Sequence, residues 1–166
     1  MRAAALRTYR QLLQAAWVRE VPVGPVDETL ARVGRVLREA EIPFAIAAGF
    51  AVIEHGYERF TKDVDLLVGT AFDGDERALA SSSRARRLLP VIPLEHLVLM
   101  KLETGRSKDD ADVVELLKAG TSAATVERYL RGTWPELLPR FRQLAARARS
   151  ERTARRRRRP SRRKTP

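Results

Sequence analysis

The stretch Ile42 to Thr70, IPFAIAAGFAVIEHGYERFTKDVDLLVGT, constrains this chain more than any other. Phe44 to Ala47 is a short apolar run led in by Pro43, and it fits a buried strand. Ala48-Gly49 follows as a turn at which backbone can approach another group closely, because Gly49 has no Cβ. Phe50 to His55 is long enough for about two helical turns, with His55 closing the helix and Gly56 at the position of a C-terminal cap. Asp63-Val64-Asp65-Leu66-Leu67-Val68 then reads as a second strand. Alternate strand residues share a face, so Asp63 and Asp65 point one way and Val64, Leu66 and Val68 the other, into a core. Two carboxylates about 7 Å apart along a strand make a candidate site for Mg²⁺, which keeps several waters and suits oxygen donors. Two plainer readings stay open here: a solvated strand face for the aspartates, and a tight strand-to-helix turn for Gly49.

Composition bounds the classes available. At 166 residues, 44% of them apolar, the chain has the length and content for one domain with a tail. No run of about 18 apolar residues occurs, so no membrane span is expected. The first residues, MRAAALRTYRQLLQAAW, are too often interrupted by charge to read as a signal peptide. There is no cysteine, which rules out disulfides and thiolate metal sites and fits a cytoplasmic protein. The net charge of +11 is not spread evenly. Residues 152–166 hold nine basic side chains and no acid, leaving 23 basic and 21 acidic residues for positions 1–151. The body is nearly neutral, and the basicity belongs to the tail.

Along the chain, Leu6, Tyr9, Leu13, Ala16 and Trp17 have the spacing of an amphipathic helix over residues 2–19. Pro22, Gly24 and Pro25 interrupt, and Asp27 is placed to cap a second helix with Leu30, Val33 and Leu37 as its apolar stripe. A turn over 72–76 and an interrupted helix over 77–88 follow Gly69. Leu89 to Ile92, set between prolines, reads as an edge strand. Helices are expected over 94–102, with Leu94, Leu97, Val98 and Lys101 on one side, and over 109–118, ending at Gly120; further helices are expected over 125–131 and 135–149. Lys101 lies on an otherwise apolar face and needs an anionic partner. That partner is either a phosphate or one of Asp109 and Asp112, which would tie two helices together.

The order of strand, glycine turn, helix and Asp-x-Asp strand, in AGFAVIEHGYERFTKDVDLLV, resembles the nucleotidyltransferase superfamily. The wording is most similar to its AbiEii-type and minimal nucleotidyltransferase toxin branch. A second block, LEHLVLMKLETGRSKDDADVVELL, resembles the helical part of the same toxins, and the two blocks cover about half the chain. The resemblance implies an α/β (α+β) fold: a nucleotidyltransferase-like small mixed sheet with flanking helices and a helical C-terminal half. Residues 1–150 would form the domain, with a core at 26–118 and C-terminal helices at 121–150, and residues 151–166 would form a disordered basic tail. It further implies that Asp63 and Asp65 bind Mg²⁺ and act in catalysis with Lys101. Gly49, Phe50, Arg59, Thr61, Arg106, Lys108, Asp109 and Asp112 would line the nucleotide. The implied activity is transfer of an NMP from an NTP to RNA, such as tRNA, or to a protein hydroxyl, in a toxin paired with a neutralising antitoxin.

The chain departs from that pattern twice. Ala48 stands where the family has glycine, and no third carboxylate on a neighbouring strand is evident between Val68 and Leu94; Asp73, Asp75 and Glu76 fall in a turn. The alternative expectation is therefore an inactive member of the fold that binds nucleic acid or a partner chain. The arginine-rich tail would attract nucleic acid through phosphate charge, without base stacking, since it has no aromatic residue.

Overall fold

A computed structural model of the chain describes residues 25–68 and 90–157. The expected helix over 2–19, the segment 72–88 with Asp73, Asp75 and Glu76, and residues 158–166 of the tail lie outside the described residues. The fold is mixed α and β, with two compact units, Met1–Leu97 and Val98–Pro166.

The first unit is built on a strand that is buried on all sides. Helix α1 (Pro25–Glu39) leads into β1 (Phe44–Ile46), which passes through helix α2 (Ala48–Glu54) to β2 (Leu66–Val68). α1 starts at Pro25, two residues ahead of the expected cap at Asp27. A proline's fixed φ and missing N–H suit the first helical position, so Pro25 opens the helix. β1 and β2 pair antiparallel, with Phe44 opposite Val68, Ala45 opposite Leu67 and Ile46 opposite Leu66. On its other side β1 meets the 90–92 segment through a parallel bridge between Ile46 and Val91. The Ile46 N–H donates to the Pro90 carbonyl (2.7 Å) and the Ile92 N–H to the Ile46 carbonyl (3.0 Å). The sheet is thus a small antiparallel pair, and the proline-flanked piece, expected as an edge strand, joins β1 by a single parallel bridge.

Leu30, Ile46 and Phe50 form the core of this unit, with Val26, Val64, Leu66 and Val91 packed against it. Helix α1 covers the sheet with Leu30 and Leu37 turned inward. Val33, expected in the same stripe, is 38% exposed. Gly34 is buried instead, one turn from Leu30, so the inward row advances by four residues and then three.

β2 is shorter than the six-residue strand expected at Asp63–Val68. Only Leu66–Val68 is strand, although the Ala47 N–H still donates to the Asp65 carbonyl at 2.9 Å. The reason lies in the neighbour: β1 turns into α2 at Ala48, so residues before Asp65 have no strand beside them on that edge. At the other end Val68 is half-exposed where the strand stops, and not in the core.

The second unit is helical. Helix α3 (Leu94–Thr104) is followed by α4 (Ser107–Lys118), α5 (Ala123–Thr133), a 3₁₀ turn (Pro135–Leu137) and α6 (Leu138–Arg157). The division between units falls within α3. α4 packs mainly on α6, and α5 joins the same helix. Leu102, Val113, Leu116, Val126, Leu130 and Phe141 are all but fully buried. α6 runs on to Arg157, past residue 150 where the disordered tail was expected. Arginine is a good helix former, and cations are favoured in a helix's last turns by the backbone dipole. No helix among the described residues is long and apolar enough to cross a membrane.

Replacing Leu30, 1% exposed, by alanine should destabilise the chain by about 2–5 kcal/mol in chemical denaturation. Val36→Ala on the same helix, at a 61% exposed position, should shift stability by under about 0.5 kcal/mol. Equal losses at the two positions would contradict this placement of α1.

Candidate functional site

Two groups of the expected residues are assembled, one in each unit. The first surrounds the turn between β1 and α2. Ala48 adopts φ +43°, a left-handed conformation that costs an L-residue about 1 kcal/mol or more. The chain keeps the backbone shape that glycine would adopt freely, with alanine in its place. Gly49 meets a different demand: a Cβ there would collide with the Thr61 side chain, 2.9 Å from its Cβ and closer still to its hydroxyl. The missing side chain makes room for Thr61 to lie across the turn, the structural role left open by the sequence. No side chain caps the first turn of α2, whose N-cap is Ala47.

Phe50 takes no part in this site through its side chain. It is 3% exposed and packs with Leu30 and Ile46, on the inward face of α2. The expectation that it lines a nucleotide is corrected on that ground. At the far end of α2, His55 closes the helix, and Gly56 takes φ +107° to end it in a Schellman turn: the Gly56 N–H reaches the Ile53 carbonyl and the Tyr57 N–H the Val52 carbonyl. The His55 ring also donates from Nε2 to the Ile92 carbonyl at 2.8 Å, so that nitrogen carries the proton. His55 is thereby a structural link from α2 to the edge segment.

Asp63 and Asp65 are both exposed, while Val64 and Leu66 between and after them are half-buried against the core cluster. The alternation foreseen for a strand therefore holds beyond the strand itself. Asp65 lies beside Ala47 through its backbone hydrogen bond, and Thr61 lies on Gly49, so this run passes directly along the glycine turn. The Thr61 hydroxyl donates to the Asp63 carbonyl at 3.3 Å, which fixes the bend before the aspartates. Arg59 is half-buried, with Nε 3.5 Å from the Phe60 carbonyl. Two exposed carboxylates fit a Mg²⁺ ion that completes its shell with water and phosphate oxygens. Among the described residues no group of three acidic, histidine or cysteine side chains gathers to form a fuller cage.

The second group sits at the turn between α3 and α4. Lys101 is 5% exposed, and its ammonium donates to Asp109 Oδ1 (2.9 Å) and to Asp112 Oδ2 (2.7 Å). Of the two partners open to it in the sequence, the carboxylates are the ones it has. Asp109 Oδ2 also accepts from Arg106 Nε (2.7 Å) and lies 2.7 Å from the Thr104 hydroxyl. That hydroxyl is also 2.9 Å from the Lys101 carbonyl, and its single proton goes to the nearer, charged acceptor. Two cations and two carboxylates leave the cluster neutral. Breaking such a buried set by removing one partner typically costs about 3–5 kcal/mol.

Burial alone would raise the Asp109 carboxyl, but hydrogen bonds from Thr104, Lys101 and Arg106 outweigh it and hold it at about 2. Arg106 and Lys108 are exposed at the start of α4. Asp110, beside this cluster, forms a two-pronged pair with Arg140 of α6 (3.1 and 2.9 Å). Thr104 and the Asp110–Arg140 pair went unread in the sequence. Thr104 had one usable signal, its position three residues after Lys101 on one helix face. A pair thirty residues apart had none.

No family model and no curated protein matches this chain.

Gly49→Ala should destabilise the chain, and Thr61→Gly in the same molecule should recover most of that loss, because both act on one contact. Thermal melts of the two single variants and the double variant measure the coupling; simple addition of the two losses would dissociate Thr61 from Gly49. For Asp109, the folded carboxyl titrates near 2 against an ordinary 3.8, so its contribution is complete above about pH 5 and is lost as pH falls towards 2. The stability gap between wild type and Asp109→Asn should therefore narrow by about 2 kcal/mol between about pH 5 and pH 2. A gap that stays constant over that range would mean the carboxyl is not held low.

Proposed function

We propose that this chain is a Mg²⁺-dependent nucleotidyltransferase of the toxin–antitoxin or abortive-infection kind, working in the cytoplasm. It would move an NMP from an NTP to an RNA such as tRNA, or to a protein hydroxyl. The observation that supports this most is that Asp63 and Asp65, both exposed, lie on a chain segment running along the Ala48–Gly49 turn, where Ala48 is left-handed. In the transfer, an acceptor oxygen bonds to the α-phosphorus as the bond to the bridging oxygen breaks. Pyrophosphate departs, and the acceptor's proton passes to solvent. Asp63 and Asp65 would hold Mg²⁺, which when bound supplies neutralisation of phosphate charge. The Thr61 hydroxyl donates to the Asp63 carbonyl across the bend that presents them.

One observation favours a second reading, a non-catalytic binding protein. The ammonium of Lys101, the lysine assigned to triphosphate by resemblance, is already taken up by two carboxylates.

The test is label transfer from each α-phosphate-labelled NTP in turn, with Mg²⁺ and total cellular RNA, resolving RNA and protein products. Transfer by the wild type and background levels from Asp63→Ala/Asp65→Ala are expected. Thermal stability with each NTP runs alongside, since a ligand at a hundredfold excess over Kd adds about 2.7 kcal/mol. A folded wild type with neither transfer nor stabilisation would sink the enzyme reading, and transfer untouched by the double substitution would sink the site.

A further inference from the structure

Helix α6 changes character along its length. Its first half is held by buried Leu138, Phe141, Leu144, Ala145 and Ala148. There the arginines are neutralised: Arg140 by Asp110, Arg142 by Glu127 and Arg147 by Glu151. Glu151 also takes Lys118, at 2.8 Å, so the last acid in the sequence is already shared by two cations. Arg149, Arg152 and Arg155 follow, all exposed, and no ion pair among the described residues reaches them.

Three residues apart, these arginines climb about 4.5 Å per step and form one ridge about 9 Å long on a helix anchored by its own first half. Like charges at this spacing repel and cost the helix stability, a cost that a bound polyanion removes. Fifteen residues after Glu151 contain nine cations and no acid, continuing the same charge.

We infer that the arginine ridge Arg149–Arg152–Arg155 is a docking surface for the phosphate backbone of a structured RNA. The chemistry disfavours a membrane surface and single-stranded nucleic acid. A membrane-surface helix needs a wide apolar face, and beyond Ala148 no described side chain is buried and none is larger and apolar than Ala154. Stacking on single-stranded bases needs aromatic side chains, and there is none after Phe141. What remains is charge-assisted hydrogen bonding of guanidinium to phosphate, at which arginine excels. The preference for RNA over duplex DNA rests on the transfer reading above; the docking to phosphate does not.

The test is fluorescence anisotropy with labelled tRNA, using the full chain carrying Asp63→Ala/Asp65→Ala, so that binding is read apart from any transfer. Added to that background are Arg149→Gln/Arg152→Gln/Arg155→Gln or, separately, glutamine at Arg158, Arg159, Arg162, Arg163 and Lys164. The helix variant should bind at least about tenfold more weakly at low salt, with a salt slope shallower by about 2 to 3. The tail variant should keep that part of the slope. Circular dichroism should show unchanged helix, since the three positions are exposed and glutamine is a good helix former. tRNA affinity unaltered by the helix variant would overturn the proposal. So would tighter binding to duplex DNA of equal length, to anionic vesicles or to polyglutamate. Ridge-dependent tRNA binding in a protein that transfers no label would uphold the docking surface and reject the enzyme.

Discussion

The helical unit depends on a charge that should not be where it is. Lys101 sits in the apolar face of α3, 5% exposed, where an unpaired ammonium would be driven to lose its proton or unfold the helix. Asp109 and Asp112, one turn apart on α4, meet it together, and Thr104 and Arg106 satisfy what remains of Asp109. Well-packed hydrophobic residues in place of the whole cluster, not of Lys101 alone, would stabilise the pair of helices about as well. What the ion cluster adds is a set of directional contacts that link α3 to α4. The Asp110–Arg140 pair extends those contacts to α6.

In the first unit the corresponding constraint is steric. Ala47 gives its N–H to Asp65, Ala48 turns left-handed, and Gly49 leaves the space that Thr61 fills. These contacts pin the Arg59–Asp65 segment to the start of α2. They also explain how two carboxylates remain exposed next to a buried strand, since Val64 and Leu66 take the inward positions. Alanine at position 48 is tolerated because the segments on both sides of it are fixed.

The charge along α6 follows a third rule. Asp110, Glu115, Glu127 and Glu151 make their ion pairs with cations other than Arg149, Arg152 and Arg155. Beyond Ala148 the helix is held by its own hydrogen bonds, by the packing upstream and by the Lys118–Glu151 pair to α4. The result is a rigid cationic ridge, where composition alone reads as a featureless basic tail.

Local patterns fixed a good deal of this in advance. Apolar runs and prolines located β1 and the piece around Val91; period-two alternation placed Asp63 and Asp65 outward and Val64 inward; Gly56 and Gly120 marked helix ends; and the stranded charge of Lys101 called for an anionic partner, with Asp109 and Asp112 as one of two possibilities. Each is a property of neighbouring residues, and so is visible in order along the chain. Other features needed the fold. β2 is short because β1 leaves it at Ala48, Phe50 turns inward because Leu30 and Ile46 are there, and Gly49 is small because Thr61 lies on it. Helix α6 passes residue 150 because its first half is anchored on α4 and the helix-forming arginines beyond carry it on. Contacts between residues far apart in the chain have no periodicity to betray them, and tertiary packing alone decided those.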